Sequence, residues 1–408
     1  MARNRQNKQN ESMIQEGYDE SVDLYAMQKK KKKQRRRLIF FLIELGLLAV
    51  MVFLLLQLYK DKIVPSEDPS DLGEPMIKEE TIVPGSVGIP TEVLDDPVRQ
   101  GYRNIALFGV DVDLSADDPR TAILKGFRSD TIMIANINLE TYEIKLVSVF
   151  RDTYLNIGDG EYGKVNGAYH DGGDEQALKA LNENLDLDIT EFITVSYHAL
   201  AKTIDGLGGV WVSVEQEEIS FLNDYQISVA KIMGIDNYPS KKYPEVTEAG
   251  YQLLNGMQAA AYCRIRGTKG SDYKRTERQR EVVKAMEAAA KEASLSKLIE
   301  IYDAVDGYIY TSFEATDVLD FLPLIVDKKV SIVSESTFPL RSMVYEVNLG
   351  SGGAAVVVPN DLAQNVIELH KFLYGENPEY RVPDLVKRYN QEIINNTDEY
   401  VRAKYGSQ

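Results

Sequence analysis

The sequence predicts an α/β domain, a central sheet covered by helices on both faces, standing behind one transmembrane helix. Three observations point there. Leu38 to Tyr59 is an apolar run of 22 residues interrupted by a single carboxylate, Glu44. Beyond about residue 100, short β-rich runs alternate with stretches of helical apolar spacing, the pattern of a sheet with helices on its faces. The 408 residues are 44% hydrophobic and 27% charged, a globular composition with room for a sizeable core.

The apolar run has no proline, and at about 1.5 Å per residue it spans the roughly 30 Å hydrocarbon core. Lys29 to Lys33 and Arg35 to Arg37 lead directly into it, whereas its far flank mixes Lys60 and Lys62 with Asp61, Glu67 and Asp68. That asymmetry places the amino terminus in the cytoplasm and the bulk of the chain outside. A cleaved signal peptide fits poorly, because the run is long, starts far from Met1 and is followed by no small-residue cleavage site. Charge divides the same way: residues 1–37 carry +6 and the remainder −23. The expected organisation is a basic cytoplasmic tail (1–37), a membrane helix (38–59) and an acidic stalk (60–99) stiffened by Pro65, Pro69, Pro75, Pro84, Pro90 and Pro97. A folded domain (100–375) and a C-terminal extension (376–408) follow.

Within the domain, Asn104–Val110, Thr131–Ile137 and Ile144–Phe150 read as strands, the last two joined by a turn at Asn138-Leu139-Glu140-Thr141. Ala177, Leu178, Leu181 and Leu185 give a helix over Asp174–Leu185. Strands at Ile193–Val195 and Val210–Val214 flank a helix from His198 to Leu207. Further helices are expected at Leu253–Tyr262, Tyr273–Ala293, Leu295–Val305, Ala315–Ile325 and Asp361–Leu373, with strands near Met343–Val347 and Ala355–Val358.

Several chemistries are excluded early. The only histidines are His170, His198 and His370, the only cysteine is Cys263, and there is no nucleophile elbow, zinc-binding pair or P-loop. A disulfide within the chain is impossible, and a 28-residue polar tail is too small for a DNA-binding domain. The basic run beside the membrane has anionic lipid as its nearer partner.

What recurs instead is arginine beside aspartate at the ends of apolar segments. Asp111 follows the first strand, Arg128 and Asp130 open the second, and Arg151 and Asp152 follow the third. Arg264 and Arg266 share one side if that segment is extended. Asp272, Arg275, Arg278 and Gln279 lie at the start of a helix, the last three spaced to face one site. Any one Arg–Asp pair reads equally as a solvated surface ion pair; their recurrence at successive segment ends argues for a common site. Arginine forks match phosphate oxygens, so several converging arginines call for phosphate or pyrophosphate. The carboxylates among them, Asp111 and Asp130, suit Mg²⁺, which takes few protein carboxylates and completes its shell with phosphate and water.

In order along the chain, the Gly-Val-Asp turn at Asp111, Arg128-Ser-Asp-Thr, Arg151-Asp-Thr, Lys164-Val-Asn-Gly-Ala-Tyr169 and Leu207-Gly-Gly-Val-Trp-Val212 resemble the LytR-CpsA-Psr family of Gram-positive cell-wall enzymes. Leu254-Asn-Gly-Met-Gln-Ala259, Arg264-Ile-Arg266 and Ser271-Asp-Tyr-Lys-Arg275 followed by Glu277-Arg-Gln279 continue the match, which covers roughly residues 100–292. The resemblance implies an α/β/α sandwich around a central mixed sheet and an apolar tunnel for a prenyl chain. It implies a phosphotransferase that moves a polyprenyl-pyrophosphate-linked glycopolymer, teichoic acid or capsule-like, to a peptidoglycan hydroxyl and releases polyprenyl phosphate.

By position in those motifs, Arg128, Arg151, Arg264, Arg266, Arg275 and Gln279 would contact the pyrophosphate. Asp111 and Asp130 would hold Mg²⁺ or Mn²⁺, and Asp272 would orient the arginines or the metal. Asp130 and Asp152 are the candidates for taking the hydroxyl proton. Phe150 departs from the family, which commonly has proline there, and could shift the loop carrying Arg151. The alternatives are a wall-polymer or lipid-precursor binding anchor without catalysis, and a polyprenyl-pyrophosphate hydrolase.

Overall fold

The computed structural model describes residues 76–77, 82–110, 127–235, 237–240, 243–268, 271–305, 308–313, 330–350 and 353–406. The expected tail, the membrane helix at Leu38–Tyr59, the first part of the stalk, the expected helix at Ala315–Ile325, and Asp111 lie outside them. Among the described residues no helix is long and apolar enough to cross a membrane.

Among the described residues a seven-stranded mixed sheet runs through the domain. Its order is β1 (Met76–Ile77), β10 (Ile309–Thr311), β7 (Glu191–Ser196), β2 (Tyr102–Val110), β3 (Ser129–Asn138), β4 (Glu143–Val149) and β11 (Ser331–Phe338). The central trio β2, β3 and β4 is antiparallel, while β7 joins β2 and β11 joins β4 in parallel. The predicted turn closes β3 onto β4: Asn138 Oδ1 accepts from the N–H groups of Glu140 and Thr141, both at 2.9 Å.

Alternation along the central strands builds a core on each face. Ala106, Phe108, Ile132, Ile134 and Val147 point to one side, packing beneath α2 (Asn166–Leu185), α8 (Leu362–Tyr374) and α9 (Asp384–Tyr405). Ile105, Leu107, Met133, Ala135 and Leu146 point to the other, beneath residues of α3 (Tyr197–Gly206), α6 (Ser271–Glu292) and α7 (Leu295–Val305). The α/β/α layering is therefore as expected. Helix α2 starts earlier than the apolar spacing suggests because Gly172 and Gly173 break it internally; only the part after the break repeats regularly.

A satellite cluster is built from the hairpin β8 (Val210–Val214) and β9 (Gly250–Leu254) with α4 (Ile219–Ile232) and α5 (Gly256–Tyr262). Leu253 and Leu254 belong to β9, not to the helix predicted there, because Asn255 caps α5 reciprocally with Gln258. Gly256 is required: a Cβ there would lie 1.9 Å from the Ala201 carbonyl oxygen of α3. The small hairpins β5 (Tyr154–Gly158) with β6 (Glu161–Lys164), and β12 (Val344–Asn348) with β13 (Ala355–Pro359), complete the domain.

Both outer boundaries move. Residues from Ile82, counted in the stalk for their prolines, pack onto the domain: Ile82, Val87 and Ile89 enter the core ahead of the short α1 (Thr91–Leu94). The C-terminal extension is likewise part of the fold, with Val386 and Ile393 of α9 in the same core. One buried polar knot ties the two. Arg99 donates to the Asp186 carbonyl at 2.6 Å and to its carboxylate at 2.5 Å, and Tyr380 donates to that carboxylate at 2.8 Å. Isolated prolines and charges gave no hint of these long-range partners.

Removing Asp186 strands the Arg99 charge in the interior. Asp186→Ala should cost about 3–5 kcal/mol, read as a lowered urea midpoint. His370, whose Nε2–H donates to the Leu185 carbonyl at 3.0 Å, sets a pH dependence. Burial, then the nearby Arg99 charge, pushes its folded pKa down to about 3, against about 6.5 in an unfolded chain. The unfolded state binds the extra proton between those values, so stability falls as pH drops from about 6.5 toward 3. His370→Gln should flatten that slope by up to about 1.4 kcal/mol per pH unit, checked by urea titrations at pH 7 and pH 5.

Candidate active site

The site begins with a defect in the ladder. Gly109 pairs with Thr131 but Val110 pairs with Ser129, so Asp130 is the extra residue of a bulge at the start of β3. A bulge turns its side chain out of the regular alternation, and here it delivers the carboxylate to the sheet end. Asp130 Oδ1 accepts from Arg151 Nη1 at 2.5 Å and Oδ2 from Arg266 Nη2 at 3.0 Å. Arg151 follows β4. Its loop is fixed by the Lys164-to-Tyr169 motif: Asn166 N–H donates to the Arg151 carbonyl at 3.2 Å, and Lys164 pairs with Asp152 at 2.7 Å.

Helix α6 supplies the opposite wall. Asp272 in its first turn, where a helix favours negative charge, receives Arg275 Nη2 at 2.9 Å and lies 3.5 Å from Arg151 Nε. The result is a chain of contacts, Arg266–Asp130–Arg151–Asp272–Arg275, flanked by Asp152, which lies 3.6 Å from Arg151 Nε and pairs with Lys164. Arg275 is only 2% exposed, and its Nε and Nη1 are buried without a hydrogen-bond acceptor, as is Arg151 Nε. Burial lowers the Arg275 guanidinium, and the like charges of Arg151 and Arg266 add to this against the pull of Asp272. Burial alone would raise the Asp130 carboxyl. The guanidiniums of Arg151, Arg275 and Arg266 outweigh it and hold that carboxyl below the usual range.

The remaining expected residues divide. Gln279, one turn beyond Arg275, donates to the Cys263 carbonyl at 3.4 Å. Arg264 and Arg266 do not sit on one extended face; the chain turns there as α5 ends, so Arg266 reaches Asp130 while Arg264 lies over the Tyr197 ring at 4.8 Å. Arg128 is exposed just before β3. Arg278, whose spacing suggested the same face as Arg275, is diverted into a structural pair. It donates to Glu218 at 2.6 Å, to the Ile265 carbonyl at 3.0 Å and to Thr268 at 2.6 Å. Phe150 is buried and packs edge-on against Tyr273, ring centroids 4.6 Å apart, which steadies the start of α6.

An apolar cleft of about 90 Å³ opens between the sheet and α6, reached from Arg275 through Gln279 one helical turn on. Leu107, Met133, Val195, Leu200, Val282 and Met286 line it, with Gln279 at the polar end. No sequence pattern distinguished these side chains from ordinary core. Among the described residues no group of three or more His, Cys, Asp or Glu is arranged to hold a metal. Of the two expected metal ligands only Asp130 is among the described residues, and each of its oxygens accepts an arginine N–H.

Inorganic pyrophosphate should satisfy the stranded guanidinium donors. At a concentration 100 times its dissociation constant it should stabilise the protein by about 2.7 kcal/mol, seen as a raised melting temperature. Arg275→Ala should abolish that increment.

The LytR_cpsA_psr family model matches residues 83–364. A polyisoprenyl-teichoic acid–peptidoglycan teichoic acid transferase, TagU, of Halalkalibacterium halodurans is 28% identical over 244 residues, 57% of this chain and 72% of the relative. Biofilm regulatory protein A of Streptococcus mutans is 27% identical over 260 residues, 61% of this chain and 58% of the relative. The crystal structure of a Streptococcus agalactiae protein has the same fold, with a TM-score of 0.54 at 22% identity over 69% of this chain and 91% of that one. With the family match spanning well over half its length, the chain belongs to the LytR_cpsA_psr family.

Proposed function

We propose that this chain is a membrane-anchored transferase that moves a glycopolymer from a polyprenyl pyrophosphate carrier to peptidoglycan. The observation that supports it most is the cluster of buried guanidinium nitrogens without acceptors, Arg275 Nε and Nη1 and Arg151 Nε, one helical turn along α6 from Gln279, which lines an apolar cleft. A ligand with a diphosphate joined to a long hydrocarbon satisfies both halves at once. The activity in the name of the H. halodurans relative is of this kind.

In this reading Arg151, Arg266 and Arg275 grip the diphosphate, Gln279 and Arg264 border the passage to the cleft, and Arg128 reaches in from the open side. An acceptor hydroxyl forms a bond to the phosphorus bearing the glycopolymer, and the bridging P–O bond breaks with its electron pair on polyprenyl phosphate. Charge grows on the bridging oxygen and on the transferred phosphate. Guanidiniums already held in place by Asp130 and Asp272 stabilise that change without reorganising. Asp130, with Asp111, would hold Mg²⁺ or Mn²⁺, whose charge would neutralise part of the diphosphate. The Asp130 carboxylate, depressed and engaged by two arginines, organises the site and is a poor proton acceptor.

The test is transfer by the full chain in detergent micelles. A polyprenyl-pyrophosphate-linked saccharide is offered with peptidoglycan fragments, in Mg²⁺ or EDTA, to the native protein and to Asp130→Ala and Arg275→Ala. Joined product with released polyprenyl phosphate is expected, reduced about 10²–10³-fold in Arg275→Ala, the range for removing one preorganised electrostatic donor. Tight donor binding without turnover would identify a binding anchor instead, and release without joining a hydrolase.

A further inference from the structure

A second concavity adjoins the arginine cluster. It is an open basin of about 570 Å³ in which charged side chains alternate with apolar ones such as Val347, Val356 and Val357, and it shares Arg151, Arg266 and Asp272 with the cluster. Its far wall is Tyr273, Arg341, Glu346 and Lys404. Two elements fix its place. Along α6, Asp272 and Tyr273 border the basin, Arg275 sits in the cluster, and Gln279, Val282 and Met286 border the apolar cleft. Along β3, Asp130 sits in the cluster and Thr131 and Met133 border the cleft. Basin, cluster and cleft therefore follow one another, with about 10 Å of helix between Asp272 and Gln279.

Phosphoryl transfer places the attacking and leaving oxygens roughly in line on opposite sides of phosphorus. With polyprenyl phosphate departing toward the cleft, the attacking hydroxyl arrives from the basin. The basin's chemistry fits a sugar chain better than a polyanion. Arg341 and Lys404 donate, Glu346 and Asp152 accept, and the charges nearly balance. Tyr273 adds an aromatic wall, with Arg341 stacked 4.6 Å from its centroid and Phe150 against its edge. Lys404 and Tyr405, in the last turn of α9, are fastened to β12: Lys404 donates to the Glu346 carbonyl at 2.6 Å and the Tyr405 hydroxyl accepts from the Glu346 N–H at 3.2 Å. That helix lies beyond residue 364, where the family match ends.

We propose that the basin is the acceptor subsite, holding a hydroxyl-rich glycan of the peptidoglycan backbone, with Arg341, Glu346 and Lys404 as residues that determine which acceptor fits. The proposal rests on the transferase reading. The acceptor oxygen bonds to the phosphorus held by Arg151 and Arg266, the bridging P–O bond breaks toward the cleft, and the hydroxyl proton passes to water in the open basin. The C-terminal helix thereby becomes a specificity element of this chain.

The experiment uses the full chain in detergent micelles and a tetrasaccharide of the peptidoglycan backbone as probe, its binding measured by saturation-transfer NMR and calorimetry. Arg341→Gln and Glu346→Gln should each weaken tetrasaccharide binding about tenfold. The dissociation constant of sugar-free polyprenyl pyrophosphate should stay within twofold. In the transfer assay the acceptor KM should rise about tenfold with kcat within threefold. Saturation with the sugar-free lipid should leave tetrasaccharide binding intact. An unaltered tetrasaccharide affinity in both variants, or no binding to the native protein, overturns the subsite. Weakened binding of the sugar-bearing donor in place of the tetrasaccharide assigns the basin to the donor's glycan and overturns the acceptor role. Basin-dependent tetrasaccharide binding, with lipid phosphate released but never joined to it, upholds the subsite and refutes the transferase reading alone.

Discussion

Holding like charges together in a partly dry place is the constraint on which this structure turns. Arg151 and Arg275 converge where water is scarce, with the more exposed Arg266 beside them, so their mutual repulsion is poorly screened and the two buried guanidiniums have lost hydration. Asp130 and Asp272 make the arrangement possible by sitting between them, one receiving Arg151 and Arg266, the other receiving Arg275 beside Arg151. Asp152, 3.6 Å from Arg151 Nε, adds its charge but is shared with Lys164. Two aspartates fix three arginines in position yet leave donors unmet, so the free protein holds a site that an anionic ligand completes.

The scaffold is arranged to keep those five side chains from relaxing apart. The bulge at Asp130 turns its carboxylate out of the β2–β3 ladder, whose register is otherwise unbroken from Tyr102 to Gly109. Asp152, paired with Lys164, and the Asn166 N–H hold the loop after β4. The start of α6 is braced by Phe150 against Tyr273, and farther along by Arg278 buried against Glu218. Arg278 shows how position decides role. Three residues from Arg275 on the same helix, it meets an acidic partner of its own and is fully paired, whereas Arg275 shares its partner's field with two other cations and stays short of acceptors.

Much of the sheet was legible because alternation is a local property. Asn104–Val110, Thr131–Ile137 and Ile144–Phe150 declare themselves through side chains that the two cores then use. The site was legible as a set of residue types, since arginine beside aspartate at strand ends is a readable excess, but not as geometry. Nothing local told Arg278 from Arg275, or showed that Arg264 and Arg266 part company at a turn. Glu218 and Tyr197, the partners that decide these cases, come from distant segments. The same limit hid the domain's edges: Arg99 and Tyr380 meet only through Asp186. Side chains of the cleft were hidden for a different reason, because Val282 and Met286 have the same helical spacing whether they line a slot or fill a core.

The charge balance of the chain gives the arrangement a further logic. Residues beyond the first 37 carry −23, an unfavourable background for an anionic polymer. Such a surface cannot draw that polymer in over distance, and its repulsion is screened within about 8–10 Å at physiological salt. Recognition then has to be local, made by a few fixed guanidiniums and by apolar contact, which salt weakens least. Under the proposed function, a carrier lipid in the same bilayer as the expected Leu38–Tyr59 helix would meet that requirement, because confinement to one membrane would supply the effective concentration that electrostatic steering otherwise provides. In the proposed transfer, a charged polymer detached from its hydrocarbon would lose the contacts of the cleft and be left facing a surface of its own sign.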